Sequence, residues 1–450
     1  MAKARRRKIV VIGGGSSYTP EIMDGLLKRH EELSLGEVWL VDVPEGKEKL
    51  DIVGGLAKRM VNRAGKPFKL RATIDRREAL PDADFIVTQM RVGGIRSRIK
   101  DERIPLKHGV IGQETTGPGG FMKALRTIPA MLAICRDIEE LAPNAWMINF
   151  TNPSGIITET VCRHTRVNIV GLCNLPIGTE RWLQRDFKCT SEELFIEFVG
   201  CNHLVWINRV FVRGAEVTDE LIERSAKAGS WPRELLESLR AIPCGYHRYY
   251  YMKDKELAHL QQADAEGKPT RGEAILEIEK ELFGQYADPK LKEKPAALSK
   301  RGGGGYSDAA VRLIASICND RRDIQTVDTR NRGAIADLSQ DSVVEIGSVI
   351  TGAGPIPLTI GSVRPELRGL LQQVKAYEEL TVQAGVTGDR KAALQALVAN
   401  PLVPSVGVAI PLLDELLEAN KDYLPQFFPR LRRSRTASAR KSPGKAATPR

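Results

Sequence analysis

Two side chains with metal-binding chemistry, Cys173 and His203, each follow an apolar run of the sequence. A thiolate and an imidazole together are suitable ligands for a borderline divalent metal ion. A buried cysteine is usually inert, however, and an isolated histidine is usually only hydrogen-bonded. The two residues alone therefore leave a metal site and simple packing both open.

The densest aromatic cluster of the chain consists of Tyr246 and the three tyrosines of residues 249–251, beside His247 and Arg248. At helical spacing most of these rings are expected to pack, and no more than one to take part in chemistry. A phenol has an unperturbed pKa of about 10, so a nearby cation would have to lower the pKa of a tyrosine that acts as a base near neutral pH.

Three glycines end the first apolar run of the chain, the β-branched residues 9–12. Such a run favours a strand that is buried on both faces, and the glycines let the backbone turn sharply against a ligand. The dinucleotide pattern G-x-G-x-x-G is met at Gly13 and Gly15, but Tyr18 stands at its third position, which argues against close helix packing there. The alternative is a plain turn from strand to helix.

Asp42 closes a second apolar run, Val38–Val41, where a Rossmann unit places the carboxylate that binds the adenosine ribose hydroxyls. An acidic side chain there favours NAD over NADP. The predicted cofactor-binding residues are Gly13, Gly14, Gly15, Ser16, Ser17 and Asp42.

Helical and strand patterns alternate through the first half of the chain, which predicts an α/β fold with a doubly wound parallel sheet. The apolar runs before Asn149 and before Cys173 are predicted strands whose polar ends face one crevice. We expect a helix over Pro20–His30, and a loop over Gly109–Gly120 because the segment is too glycine-rich for the interior of an element. One long helical stretch is expected over Gly245–Phe283.

The length of 450 residues and the apolar content of 42% predict two domains. The expected divisions are a basic extension over residues 1–7, a nucleotide-binding domain over 8–195, a catalytic domain over 196–428 and a disordered tail over 429–450. No run approaches the roughly 18 apolar residues of a membrane helix, and the basic N-terminus has no signal-peptide core. The seven cysteines are scattered, which favours a reducing cytoplasm.

The net charge of +11 comes from the two ends of the chain. Residues 430–450 hold eight basic and no acidic side chains, and residues 3–8 add five more basic ones. The remaining body is slightly acidic, so the charge does not indicate a nucleic-acid-binding body. The tail is rich in Ser, Ala, Thr and Pro, which is typical of disorder.

Eight segments in order resemble the NAD- and metal-dependent glycoside hydrolase family 4, from about Lys8 to about Tyr423. They are GGGSSYTPE, the LVD ending at Asp42, DERIPLKHGVIGQETTG, INFTNPSG, GLCNLPIG, GCNHLVW, YHRYY and KRGGGGYSDAA. The resemblance implies a Rossmann-type domain, similar to lactate and malate dehydrogenases, followed by an α+β catalytic domain. It also implies two cofactors, NAD and a divalent metal ion, with Mn²⁺ as the expected metal.

The implied activity is hydrolysis of 6-phospho-β-glucosides, such as phosphorylated cellobiose or aryl glucosides, to glucose 6-phosphate and an aglycone. Most glycosidases use two carboxylates, and this family is an exception. The resemblance implies that NAD first oxidises sugar carbon 3, which acidifies the proton on carbon 2. Elimination of the aglycone, addition of water and return of the hydride would then leave NAD unchanged.

The resemblance also assigns roles to single residues. Cys173 and His203 match the metal ligands, and Tyr246 matches the base that removes the carbon 2 proton. Glu114 is the candidate acid for the leaving group. The implied substrate-binding residues are Arg98, Asn152, Asn174 and Arg301, the last as a candidate for the 6-phosphate, which a guanidinium fork suits.

The expected partners are a phosphorylated disaccharide or aryl glycoside and further copies of the chain in a homodimer or homotetramer, without membrane or nucleic acid. Three alternatives stay open: a family member acting on another sugar or anomer, a 2-hydroxy-acid dehydrogenase, and a nucleic-acid-binding protein that uses its basic ends. The dehydrogenase would need no metal thiolate. The nucleic-acid-binding protein would lose salt-sensitive binding on removal of residues 430–450.

Overall fold

The computed structural model of the protein describes residues 5–302 and 305–429. The predicted tail beyond residue 429, the first four residues of the predicted extension and two glycines after Arg301 lie outside the described residues. The strands are β1 (Arg7–Ile12), β2 (Leu35–Val41), β3 (Lys69–Thr73), β4 (Phe85–Thr88), β5 (Trp146–Asn149), β6 (Asn168–Gly171), β7 (Leu194–Cys201), β8 (Leu204–Val212), β9 (Ala215–Glu216), β10 (Ile242–Pro243), β11 (Ile324–Arg330), β12 (Val343–Thr351) and β13 (Gly354–Pro357).

Sixteen α-helices connect and cover these strands within the described residues. They are α1 (Thr19–Lys28), α2 (Lys47–Arg63), α3 (Arg76–Ala79), α4 (Gly94–Lys107), α5 (Gly117–Leu141), α6 (Ser154–His164), α7 (Asn174–Phe187), α8 (Thr218–Lys227), α9 (Arg233–Leu239), α10 (Arg248–Tyr251), α11 (Lys253–Ala265), α12 (Arg271–Ala287), α13 (Tyr306–Asn319), α14 (Pro365–Thr387), α15 (Arg390–Ala399) and α16 (Val406–Ala419). Short 3₁₀ turns cover Pro44–Gly46, Gly245–His247, Ala296–Arg301 and Lys421–Tyr423.

A nine-stranded sheet forms the centre of the molecule, in the order β13-β12-β11-β6-β5-β4-β1-β2-β3. The six strands from β3 to β6 are parallel, as the alternating pattern predicts. Their order is that of a Rossmann fold, whose ligand crevice opens where β1 and β4 lie side by side. The buried apolar residues of β1, β2 and β4 explain why helices cover both faces of the sheet.

The sheet continues past the parallel strands with β11, β12 and β13, which are antiparallel. These strands come from residues 324–357, long after the nucleotide-binding half. The predicted division between residues 195 and 196 stays a prediction, and the structure adds that the central sheet takes strands from both sides of it.

A second, antiparallel sheet of β10, β8, β7 and β9 carries part of the site. The tight connection from β7 to β8 contains Asn202 and His203, and His203 adopts a left-handed backbone with φ of 63°. Strand β7 lies against β12 of the large sheet. This contact places the β7–β8 turn beside the carboxyl ends of the parallel strands.

Two predictions about elements are wrong in part. The predicted loop over Gly109–Gly120 ends early, because α5 begins at Gly117. A Cβ atom on Gly120 would lie 2.5 Å from the backbone of Thr115, so glycine there permits close packing at the first turn of the helix. The predicted helical stretch over Gly245–Phe283 is divided into a 3₁₀ turn and α10, α11 and α12.

Within residues 5–302 and 305–429, no helix is both long enough and apolar enough to cross a membrane.

Candidate functional site

The glycine turn after β1 is closely packed, as its sequence predicts. Gly13 has φ of 89°, in the left-handed region that glycine tolerates, and a Cβ atom there would lie 2.9 Å from the Gln89 carbonyl oxygen. A Cβ atom on Gly14 would lie 2.8 Å from the Leu40 side chain. Packing within the turn therefore requires glycine at both positions, and binding of a dinucleotide pyrophosphate there stays a prediction.

Asp42 lies beside this turn at the end of β2. Its Oδ2 atom accepts a hydrogen bond from the Gly15 amide at 2.8 Å, and its Oδ1 atom accepts one from the Val43 amide at 2.9 Å. The side chain is half-buried. The carboxylate thus holds the glycine turn, and ribose binding by the same group stays a prediction.

Arg301 reaches the nucleotide side of the crevice. Its Nε atom donates to Ser17 Oγ at 3.2 Å and to Glu279 Oε1 at 3.1 Å, and its guanidinium lies 5.0 Å from the centre of the Tyr18 ring. Tyr18 therefore occupies the third fingerprint position as the partner of an arginine. Glu279 balances the charge of Arg301, and the predicted 6-phosphate contact stays a prediction.

Cys173 and His203 come from two different sheets and are both buried. Burial, and next the negative charge of Glu345, raise the pKa of the Cys173 thiol well above its usual value. Burial, and next the positive charge of Lys123, lower the pKa of His203 to about 3. The structure therefore presents a neutral imidazole, the form that binds metals, and a thiol that ionises only with help from a cation.

Tyr246 stacks on His203, with ring centres 4.1 Å apart and planes inclined by 16°. Burial, and next the charges of Cys173 and Glu114, raise the pKa of Tyr246 above its ordinary value. Tyr246 thus stacks on one predicted metal ligand, His203, and is close enough to the other, Cys173, to feel its charge. The sequence predicts a chemical role for no more than one of the four tyrosines.

Glu114 is surrounded by three cations. Its carboxylate accepts from Arg91 at 2.5 Å, from Arg98 at 2.9 Å and from Lys123 at 3.2 Å. Although burial opposes ionisation, the charges of Arg91, Lys123 and Arg98 hold the pKa of Glu114 well below its usual value. A carboxyl group in this setting is a carboxylate. The structure therefore does not support the predicted role of Glu114 as proton donor to the leaving group.

Lys123 is a site residue that the sequence reasoning missed. Its side chain is only 5% exposed, and burial together with the charge of Arg91 lowers its pKa to about 7. The available signal was a single lysine within the apolar run Phe121–Leu125. Lysine is almost never fully buried without a partner, so its place in that run indicates a buried carboxylate.

Two of the other predicted substrate residues, Asn152 and Asn174, lie just after parallel strands. Asn152 follows β5 and precedes a cis peptide bond to Pro153, and Asn174 begins α7 directly after Cys173. Both are half-buried. Arg98, on α4, is buried and also bonds to Glu102 at 2.8 Å. Their substrate contacts stay predictions.

The donor atoms of the site suit a divalent metal ion. Nδ1 of His203 is buried and has no hydrogen-bond partner in the structure, although a buried polar atom normally has one. The described residues contain no group of three or more His, Cys, Asp or Glu side chains arranged to hold a metal ion. A metal ion held by Cys173 and His203 therefore stays a prediction.

Comparison with known proteins places this geometry in a family. The sequence profile of the family 4 glycosyl hydrolases matches residues 8–189, and that of their C-terminal domain matches residues 198–403. The chain belongs to family 4 of the glycosyl hydrolases. This membership confirms the resemblance carried by the eight segments.

The curated relatives of this family 4 chain cover nearly its full length. A Bacillus subtilis (strain 168) protein named probable 6-phospho-beta-glucosidase is 52% identical, with 94% of this chain and 98% of that protein aligned. The 6-phospho-beta-glucosidase of Escherichia coli (strain K12) is 42% identical, with 94% and 97% aligned.

Solved structures agree with the fold. The 6-phospho-beta glucosidase of Thermotoga maritima with manganese, NAD+ and glucose-6-phosphate is 38% identical, with a TM-score of 0.86 over 93% of this chain and 99% of that one. Malate dehydrogenase of Cryptosporidium parvum, 15% identical, has a TM-score of 0.51 over 85% of this chain and 99% of that one. This second likeness shows the fold alone, and it confirms the predicted dehydrogenase-like architecture.

Proposed function

We propose that this family 4 protein hydrolyses 6-phospho-β-glucosides to glucose 6-phosphate and an aglycone, with NAD and Mn²⁺ as cofactors. The observation that carries the proposal is the stacking of Tyr246 on His203 beside Cys173, at the carboxyl ends of a dinucleotide-binding sheet. The named 6-phospho-beta-glucosidase relatives support the substrate class.

The residues of the glycine turn fit NAD. Gly13 and Gly14 leave no space for side chains, and Asp42 stands where an acid selects the ribose hydroxyls. Bound NAD would supply a hydride acceptor and donor for carbon 3 of the sugar. Position 42 carries an acidic side chain and not a basic one, so NAD is the expected form rather than NADP.

Cys173 and His203 would hold the divalent ion through a sulfur and a nitrogen atom. Such an ion would supply Lewis-acid stabilisation of negative charge on the sugar oxygens. His203 is ready for this role because its imidazole is neutral at physiological pH. Its left-handed backbone places the ring against Tyr246, so that ligand and base are held together.

Tyr246, as a phenolate, would accept the proton from carbon 2 on its side-chain oxygen. Burial alone works against this, since it raises the pKa of the phenol. The metal charge that Cys173 and His203 would hold beside the ring acts in the opposite direction. Arg91, Arg98 and Lys123 hold Glu114 as an anion, so the group that protonates the aglycone stays unassigned.

The Arg301 side chain is a candidate for the 6-phosphate, a cytoplasmic location follows from the substrate class, and a homodimer or homotetramer stays a prediction. The dehydrogenase alternative gains no support beyond the shared fold.

The deciding experiment is hydrolysis of a chromogenic 6-phospho-β-glucoside by cofactor-stripped protein, with NAD and Mn²⁺ each omitted in turn. We expect activity only with both present and no net accumulation of NADH. The unphosphorylated glucoside and the 6-phospho-α-glucoside serve as substrate controls and should react at a small fraction of the rate. Full hydrolysis without NAD, or equal kcat/KM for the phosphorylated and plain β-glucosides, would contradict the proposal.

A further inference from the structure

Behind the predicted metal ligands, two carboxyl groups face each other across a pair of strands. Asp328 of β11 lies directly opposite Glu345 of β12 in the antiparallel register, and both side chains are fully buried. Residues opposite each other have Cβ atoms about 4.5 to 5.5 Å apart and point to the same face of the sheet. Two negative charges in these positions would repel strongly.

Each carboxyl group has one hydrogen-bonded oxygen and one free oxygen. Ser154 Oγ donates to Asp328 Oδ2 at 2.6 Å, and Asn202 Nδ2 donates to Glu345 Oε1 at 3.3 Å. Asp328 Oδ1 and Glu345 Oε2 are buried without a partner in the structure. Buried polar atoms without partners are rare, so these two oxygens require an explanation.

No cation bonds to the pair among the described residues. The nearby ammonium of Lys375 donates to Glu159 at 3.1 Å, to Glu378 at 2.5 Å and to the Val343 carbonyl at 2.7 Å. These three bonds use its three donors. The negative charge of Glu378, on α14, raises the pKa of both members of the pair, and the charge of Lys375 acts in the opposite direction on Asp328.

We propose that Asp328 and Glu345 share one proton and act as a singly charged acidic pair that positions the loops carrying Asn152, Cys173 and His203. A hydroxyl on one carboxyl group would donate to the free oxygen of the other, which accounts for both unpartnered oxygens. A buried charge is tolerated when it is hydrogen-bonded, and two uncompensated charges are far less favourable than one. Burial raises the pKa of both carboxyl groups, and their mutual repulsion raises that of Glu345 further.

The pair touches the three loops that carry Asn152, Cys173 and His203. Ser154 lies two residues after Asn152, and Asn202 directly precedes His203. Gly171 lies two residues before Cys173, and a Cβ atom there would lie 2.7 Å from the Asp328 side chain. One acidic pair thus fixes the spacing of loops from three different strands.

The charge of the pair also reaches the site. Glu345 bonds to Asn202, the residue directly before His203, and Asp328 lies against Gly171, two residues before Cys173. A single negative charge close to Cys173 and His203 favours binding of a cation by these two residues. This inference rests on the metal site of the proposed function, and its test separates the two.

The test measures Mn²⁺ binding to the full-length protein by calorimetry, without substrate, in Asp328→Asn, Glu345→Gln and the double variant. In each single variant an amide N–H replaces the shared hydroxyl and one negative charge remains, so the Kd should stay within about threefold of wild type. The double variant loses the charge, and its Kd should rise about tenfold or more, as for other partners of metal ligands. Infrared difference spectra at neutral pH should show one protonated carboxyl band fewer in each single variant.

The matched control is Glu379→Gln, which removes one negative charge from α14 next to Glu378 and outside the pair. It should leave the Kd for Mn²⁺ unchanged. If the double variant does not fold, Asn202→Ala takes its place. This change removes the hydrogen bond between Glu345 and the His203 loop, so Mn²⁺ binding should become weaker.

Three results would overturn the inference: no loss of a protonated carboxyl band, single variants as weak as the double variant, or a folded double variant with the wild-type Kd. Cys173→Ser separates failure of the proposed function from failure of this inference. If Cys173→Ser binds Mn²⁺ as tightly as wild type does, the metal site itself is wrong, whatever the pair does.

Discussion

Among single side chains, Tyr246 has the most specific chemical prediction. Tyr246→Phe removes one hydroxyl group and keeps the ring that stacks on His203. We expect kcat to fall by roughly 10²- to 10⁴-fold, the usual contribution of a general base, with NAD and Mn²⁺ binding retained. The measurement is exchange of the carbon 2 proton with solvent deuterium during turnover.

Tyr249→Phe is the matched control, because Tyr249 belongs to the same cluster and its ring centre lies 6.3 Å from that of Tyr246. It should keep most of the wild-type rate. If wild type shows no exchange at carbon 2, elimination is not the route, and if Tyr246→Phe exchanges at the wild-type rate, Tyr246 is not the base.

Asp42 supports a second prediction, in which binding and structure are linked. Asp42→Ala removes a carboxylate whose charge-assisted hydrogen bonds are each worth about 1.5 to 3 kcal/mol. The Kd for NAD should rise at least tenfold. Part of this rise comes from the loss of the 2.8 Å hydrogen bond between Asp42 and the Gly15 amide. Isothermal titration with NAD gives the value, and Asp42→Asn, which keeps one acceptor oxygen, should lose less. An unchanged Kd in Asp42→Ala would contradict the ribose assignment.

Single residues also show where sequence reasoning ends. Cys173, His203 and Tyr246 follow from motif order, and the structure brings them together. The state of Glu114 does not follow, because its ionisation depends on Arg91 and Lys123, which reach it from the loop after β4 and from α5 respectively. Sequence shows which groups titrate, but the sum of burial and charge that sets each pKa exists only in the fold.

Among the helices and strands, the parallel strands were predictable from their apolar runs, because burial on both faces demands such runs. The start of α5 was not. Its glycines normally break helices, but at this first turn they allow the contact with the Thr115 backbone. Glycine content indicates conformational freedom, whereas close approach between segments is a tertiary property that a single sequence does not show.

The contact between α14 and α5 makes a prediction with a control on the same helix. A methyl group on buried Gly385 would collide with Ile128 of α5, whereas no atom of the described residues lies within 4 Å of a Cβ atom on Gly369. Gly385→Ala should destabilise the protein by about 1 to 3 kcal/mol through overpacking. Gly369→Ala should stabilise it by about 0.5 to 1 kcal/mol through helix propensity. Urea unfolding curves give both values, and equal effects of the two changes would show that the helices do not pack in this way.

For the molecule as a whole, the continuity of the central sheet limits what a two-domain description explains. Strand β6 pairs with β11, and the core beneath β1 and β4 includes Tyr286, Ile314 and Val327 from the second half of the chain. Tyr286 also donates to the Ser17 carbonyl at 2.8 Å, so the second half supports the glycine turn directly. The alternating pattern predicted the Rossmann unit, but nothing in it indicated that strands from residues 324–357 would extend the sheet.

This continuity predicts that residues 1–195 do not form a stable domain alone. The fragment would leave the edge of β6 unpaired and expose apolar surface that α12 and α13 cover in the full chain, both of which promote aggregation. The full-length protein should therefore unfold in a single thermal transition by calorimetry, and the isolated fragment should show no cooperative transition and no measurable NAD binding.

Co-expression of residues 1–195 with residues 196–450 as separate chains is the control, because the second chain supplies the missing strands and helices and should restore NAD binding. If the fragment melts cooperatively and binds NAD as the full chain does, residues 1–195 fold independently. Strands β11, β12 and β13 would then extend a domain that is stable without them and would not be part of its core.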